Sequence, residues 1–126
     1  MNAINVIAVW SAKAMTKNTA YESNIIDLDG LNINGFFSAQ LLMTDAGADT
    51  ARVKLQWGVS NDGTNFIYSS DASDDIVTAF SSVSGPGSDG KAIYSFDPIV
   101  SRWIRFKATE TSNTEACALT LDVAMH

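Results

Sequence analysis

The chain predicts an all-β fold, an antiparallel two-sheet β-sandwich or jelly roll of about eight or nine strands. Three observations carry that prediction. Ala51, Val53, Leu55, Trp57 and Val59 alternate with Arg52, Lys54, Gln56, Gly58 and Ser60, and a period of two places one face in a core and the other in water. Ser60-Asn61-Asp62-Gly63 follows as a turn, because Asp-Gly accepts the positive φ that tight hairpins need. Further short apolar runs are separated by turn signals along the whole chain, with no amphipathic helix between them.

The elements follow in order. Ile4–Trp10 is the first strand, with Ile4, Val6, Ala8 and Trp10 opposite Asn5, Ile7 and Val9. Neither face is polar, so the strand is either buried on both sides or laid against a neighbouring chain. Ser11–Ala20, rich in Lys, Thr and Asn, reads as a connector, which makes residues 1–20 an arm and connector ahead of a sandwich domain at 21–126. Tyr21–Leu28 is the second strand, closed by an Asp29-Gly30 turn. Ile33–Thr44 is the third, with Phe37, Ala39, Leu41 and Met43 on one face. Asp45–Thr50 is loop, and Ala51–Phe66 is the hairpin already described, with Asn65–Tyr68 returning. Ser69–Asp75 is an acidic stretch of small residues. Ile76–Phe80 is a short strand, and Ser81–Gly90, SSVSGPGSDG, is a long loop. Lys91–Asp97 presents Ala92, Tyr94 and Phe96 on one side before Pro98 interrupts the ladder. Arg102–Thr109 and Ala116–Met125 close the fold, the latter with Cys117, Leu119, Leu121, Val123 and Met125 facing inward.

At 126 residues the chain has room for one core. Its single cysteine, Cys117, has no intrachain partner, which excludes a disulfide framework and points to synthesis in a reducing cytoplasm. The opening residues lack the basic start and long apolar run of a secretory signal. No segment approaches the ~20 apolar residues that span a bilayer. A net charge of −6 without a basic cluster argues against nucleic acid.

Catalytic chemistry finds few candidates. The only histidine is the last residue, His126, a poor base for a triad that needs fixed geometry. Cys117 falls at an inward position and reads as packing. No Cys/His set suits zinc. Asp27-Leu28-Asp29-Gly30-Leu31-Asn32 resembles part of a calcium loop but departs from the EF-hand spacing, and Asp71, Asp74 and Asp75 could gather oxygen ligands. Both are expected to be solvated acidic loops. The expectation is therefore a non-enzyme without cofactor or metal.

Surface aromatics remain. Trp57 belongs to the inward face. Trp103 shares an outer face with Arg105 and Lys107 if Ile104, Phe106 and Ala108 point inward. That arrangement marks a protein contact or a sugar platform. Alternatively, the bend after Pro98 rotates the strand and buries the indole.

Ile26-Asp27-Leu28 leading to Phe36-Phe37, the Trp57–Phe66 hairpin, Ser101-Arg102-Trp103-Ile104-Arg105-Phe106 and the closing Leu119-Thr120-Leu121 together resemble galactose-binding-like β-sandwiches of the discoidin or coagulation-factor C-type family. That resemblance implies a carbohydrate-binding module, at home on a phage tail tip, whose loops at one end of the sandwich, including Asn61–Asn65 and Ser81–Gly90, contact a glycan through Asn61, Asp62 and Asn65. The same hairpin, the R-W-I-R-F strand and the Ala/Thr-rich last strand are similar to small structural proteins of tailed bacteriophages, as are the low cysteine and acidic balance. This second resemblance implies a virion protein made in the host cytoplasm; capsid decoration (cement) proteins and tail-associated modules both fit it, and the decoration role is the favoured expectation. Its partners would be the major capsid protein and itself, as a homo-oligomer such as a trimer. The expected contacts are Ile4, Val6, Ile7, Val9 and Trp10, which could add to a neighbour's sheet edge, together with Trp103 and Arg105. On this reading, deleting residues 1–12 abolishes particle binding and spares the fold.

Overall fold

A computed structural model of the chain describes residues 4–31, 35–69 and 74–126. They form ten strands: β1 (Asn5–Met15), β2 (Ala20–Glu22), β3 (Ile26–Asp27), β4 (Phe37–Asp45), β5 (Val53–Ser60), β6 (Ile67–Tyr68), β7 (Val77–Phe80), β8 (Lys91–Phe96), β9 (Trp103–Glu110) and β10 (Cys117–Met125). There is no helix among the described residues. Ile33, expected to begin the third strand, lies outside them, as does Asp71.

One sheet has the order β1-β10-β4-β8. The other runs β2-β9-β5-β6, with β3 also on β9 and β7 also on β5, and every pairing is antiparallel. β2 and β3 lie in succession along one edge of β9, and β6 and β7 along one edge of β5. If each such pair counts as one interrupted strand, eight remain. They pair first with last, second with seventh, third with sixth and fourth with fifth. A long hairpin rolled up so that alternate pairs fall in opposite sheets is the jelly-roll winding.

The core lies between the sheets, where the alternation placed it. Val53 and Leu55 of β5, Phe106 and Ala108 of β9, and Leu119, Leu121 and Val123 of β10 are completely buried. Trp57 joins them with its indole N–H donated to the Asp74 carbonyl at 3.1 Å. The outer side of β5 is also covered. Tyr68 lies flat on Gly58, where a methyl group would come within 2.6 Å of the ring.

Two elements differ from expectation. The second strand breaks into β2 and β3 because Ser23 turns its hydroxyl onto the Phe106 N–H at 2.8 Å in place of a ladder bond. The first strand does not stop at Trp10. It continues through Ser11–Met15, read above as connector, in register with β10 as far as Met15 opposite Cys117. Register shifts between Ala8 and Trp10 and between Trp10 and Lys13 break its alternation. At the second, Ala12 takes a φ of 49° and donates its N–H to Thr120 Oγ1. Bulges of this kind erase the period on which a sequence reading depends. Residues 5–15 are thus an edge strand of the sandwich, with Met15 in the core. Deleting 1–12 would strip that strand, so truncation is not a clean test of binding.

Candidate interaction surfaces

β1 and β4 begin, and β8 and β10 end, at one end of the sandwich, where the β3–β4 and β8–β9 connections and the β5–β6 turn also gather. The segment before β4 is tied to the last residue by a reciprocal backbone pair, Phe36 N–H to the His126 carbonyl at 3.0 Å and the reverse at 2.9 Å. The two rings stack with centroids 6.4 Å apart. This end is apolar and open. Phe36 is 67% exposed, Ile4 66%, Ile99 65% and Val100 92%. Shallow grooves run between them. One is lined by Ile4, Phe36, Phe37, Phe96 and Met125, the next by Leu28, Leu31, Pro98, Ile99 and Val100, and a third by Val100, Ile67 and the β5–β6 turn. Isolated exposed apolar side chains are ordinary, but a run of them across adjoining loops marks a contact surface.

The turn beside this surface is closed on itself. The Asp62 carboxylate accepts the Asn65 N–H and Nδ2–H, each at 2.8 Å, the Thr64 N–H at 2.9 Å and the Ser60 hydroxyl at 2.8 Å. Those bonds, with Asn65 foremost, hold its pKa well below the usual carboxylate range. Asn61 Oδ1 accepts the Arg102 N–H at 3.0 Å and so fastens the turn to the start of β9. The Asp62 carboxylate is thereby committed to its own turn, whereas the Asn61 Nδ2 and the Asn65 Oδ1 keep hydrogen-bonding capacity.

Trp103 points outward, as one of the two readings had it, but half-buried. Its indole covers Gly63, and the Arg102 guanidinium lies 4.6 Å from the ring centroid. Arg102 also bridges Asp27 at 3.4 Å and Asp29 at 3.6 Å, so a protein cation lies against the stretch that resembled a calcium loop. Arg105, expected at a partner contact, has its side chain only 22% exposed. It is bound to Glu22 at 3.3 Å and the Ser23 carbonyl at 2.9 Å, and it lies over Phe66. Lys107 sits 4.9 Å from the Tyr68 ring centroid. This cation–aromatic layer seals the outer side of the second sheet.

Among the expected contacts on β1 and the residue before it, only Ile4 and Val6 present substantial surface, each 66% exposed. Ile7, Val9 and Trp10 are half-buried and pack against the core. Sequence reasoning missed Phe36, Ile99 and Val100. The available signal was an apolar dipeptide following Pro98 in a connection where a solvated loop would carry polar residues. Cys117 is buried, and burial foremost, then the nearby carboxylates, pushes its thiol up to about 11. It therefore stays protonated at neutral pH.

The opposite end is polar and is organised by Glu110, a completely buried residue at the end of β9. Its carboxylate accepts four bonds, from the Arg52 N–H at 2.8 Å, the Ser112 hydroxyl at 2.7 Å, and the Asn18 and Asn113 N–H groups at 3.1 Å. Burial alone would raise its pKa, but these donors outweigh burial and lower it. No protein-family model and no curated protein matches this chain.

Proposed function

We propose that this chain is a non-enzymatic structural protein of a tailed-phage virion, a decoration subunit that docks on the capsid surface through its apolar end. The observation that supports docking is the row of exposed side chains Ile4, Phe36, Ile99 and Val100 on a single end of a rigid sandwich. Solvent-facing apolar groups of this size are stabilised when a partner covers them. The virion setting rests on the resemblance of the hairpin and the late R-W-I-R-F strand to phage structural proteins. Repeated across a shell, weak contacts of this kind gain strength through avidity.

Co-sedimentation with particles lacking the protein tests the reading. Wild-type protein should saturate the shell at a fixed ratio to the major capsid protein, and Val100→Asp or Phe36→Asp should remain in the supernatant while folded. Binding unchanged in both variants would rule out the apolar end. Failure of the wild type to bind any particle would rule out the decoration role. A glycan-binding role has less support, because the Asp62 carboxylate is committed to its own turn, the Ser81–Gly90 loop lies at the Asp45 end of β4 rather than beside that turn, and Arg102 covers one face of Trp103. Specific wild-type signal on a glycan array, lost in Trp103→Ala, would reverse that order.

A further inference from the structure

The two sheets treat their edges differently. The second sheet is bordered by short pieces, β2 and β3 on one side and β6 and β7 on the other, none longer than four residues. Broken edges of this kind resist further strand pairing. The first sheet is bordered by β1 and β8, and each carries an unbroken stretch at the apolar end. On β1 the register is constant from Asn5 to Ala8 and slips only beyond it. On β8 it is constant from Lys91 to Phe96.

The phase of the hydrogen bonds shows which groups these edges leave open. Phe36 and His126 exchange both backbone bonds, and bonded and non-bonded pairs alternate along an antiparallel ladder. Phe37 and Met125 therefore turn their backbone groups away from each other, toward Phe96 and Asn5. By the same alternation Val6 and Ala8 on β1, and Ile93 and Ser95 on β8, point their N–H and C=O groups out of the sheet. Lys91 points the same way, but Gly85 lies so close to its carbonyl that a methyl group there would collide with it. Both edges are thus open at the apolar end and closed beyond, β1 by its bulges and β8 by the preceding loop. They are also level. Val6, Ala124, Ser38 and Ser95 form one row across the sheet, and Ala8, Asp122, Gln40 and Ile93 another. With four strands, all antiparallel, β8 runs opposite to β1 and the bonding phase repeats. A second copy set alongside, turned by the twist of the sheet, brings its Val6 opposite Ser95 and its Ala8 opposite Ile93, outward donors meeting outward acceptors.

We infer that copies of this chain associate head to tail, the open edge of β8 in one pairing with the open edge of β1 in the next. The side chains on these edges suit the joint. On the strands of this sheet, among the described residues, the exposed large apolar side chains are Val6 at 66% and Ile93 at 64%, one on each edge strand, and the pairing covers both. On the inner face Ile7, Tyr94 and Phe96 are only partly buried against the core. Ile7 and Tyr94 share a row, so the joint continues the core from one copy into the next. Pairing like edges about a two-fold axis would cover only one of Val6 and Ile93 and leave the other edge open in every dimer. A head-to-tail joint uses both edges and repeats, closing a ring or extending a row. So short a joint is weak in solution and gains strength where copies are crowded on a surface. It is argued from the sandwich alone and does not depend on docking to a capsid.

The test is disulfide trapping with purified protein and no particle, so its outcome is separate from that of the docking experiment. Val6→Cys and Ser95→Cys proteins are mixed and mildly oxidised; both positions are exposed, and a bonded cross-strand pair brings Cα atoms within disulfide range. The expected product is the mixed disulfide, about tenfold in excess of either homodisulfide and of the background product of Ser95→Cys with Thr114→Cys at the polar end. Homodisulfides that match the mixed product would show like-edge pairing and overturn the inference, as would a mixed product no greater than background. Sedimentation equilibrium supplies the second measurement. The wild-type mass should rise above 13.5 kDa as the concentration approaches about 1 mM. Val6→Pro, which removes an outward N–H that bonds nothing on β10, and Ile93→Lys, which places a charge on the other edge, should each stay monomeric and melt as wild type does. Association of both variants to the wild-type extent, or a wild-type mass that never rises, would overturn the joint.

Discussion

Phe36 and Glu110 occupy opposite ends of the same sandwich, and the fold handles them in opposite ways. The apolar end leaves Phe36, Ile99 and Val100 in water although nothing polar requires it. The polar end buries a carboxylate completely and surrounds it with four donors. Polar groups hidden from water must be matched within the chain, whereas apolar groups can stay in water, and on the proposed reading a partner covers them. The fold completes one end by itself, and the proposed docking would complete the other.

Replacing residues at each end should separate these two conditions. The largest effect belongs to Glu110→Ala, which leaves backbone donors of Arg52, Asn18 and Asn113 without their acceptor. It should lower stability by about 3 kcal/mol, read as a shift in the urea midpoint at constant slope. Gly90→Ala comes next. Gly90 has a φ of 76°, and an added methyl would meet the Met43 carbonyl at 2.8 Å and the Ser82 carbonyl at 2.9 Å. Strain and collision together should cost about 2 kcal/mol and loosen the Ser82 loop. Phe36→Asp and Val100→Asp should change stability by no more than about 0.5 kcal/mol and act on partner binding alone. A large loss of stability in either would mean that the apolar end is core, and the contrast would collapse.

Acidity sharpens the same comparison. The lowered pKa values of Glu110, Asp45, Asp62 and Asp27 mean that each contributes stability that is present above its unfolded value, 4.5 for Glu and 3.8 for Asp. That contribution is lost as the pH falls through the folded values. Glu115 has the opposite sign. Its folded pKa is raised, so its contribution is intact below 4.5 and is lost as the pH rises through the folded value. Glu115→Gln should therefore flatten the stability profile on the alkaline side and leave acid unfolding nearly unchanged. Urea midpoints measured across the pH range check this.

Much of the sandwich is legible in the sequence, for a definite reason. β5, β9 and β10 lie between neighbours on both sides, and each alternates cleanly, so Leu55, Phe106 and Leu121 fall inward by simple counting. β1 escapes because two register shifts interrupt its period, and Ser11-Ala12-Lys13 then looks like a linker. The interaction surface is harder to see. Ile4, Phe36 and Val100 come from three separate segments of the chain, and no local pattern says that they meet. Glu110 and Glu115 stand among Thr, Ser and Asn, where a charged residue ordinarily faces water. Only the winding of the chain buries them, and only their hydrogen-bond partners distinguish Glu110, with its four donors, from Glu115, whose Oε1 is buried without one.

The jelly-roll winding also constrains how the protein is made. β10 lies between β1 and β4 in its sheet, with Asn5 opposite Met125 on one side and Phe37 opposite Met125 on the other. During synthesis, β1 and β4 emerge early but have no common neighbour until residues 117–125 leave the ribosome. β4 can pair with β8 earlier, but β1 joins the sheet only at that late point, through contacts about as long-range as the chain contains, and such topologies fold slowly. Until then the apolar faces of β1 and β4 stay exposed, so yield should depend on chaperone capacity during synthesis more than on the stability of the finished sandwich.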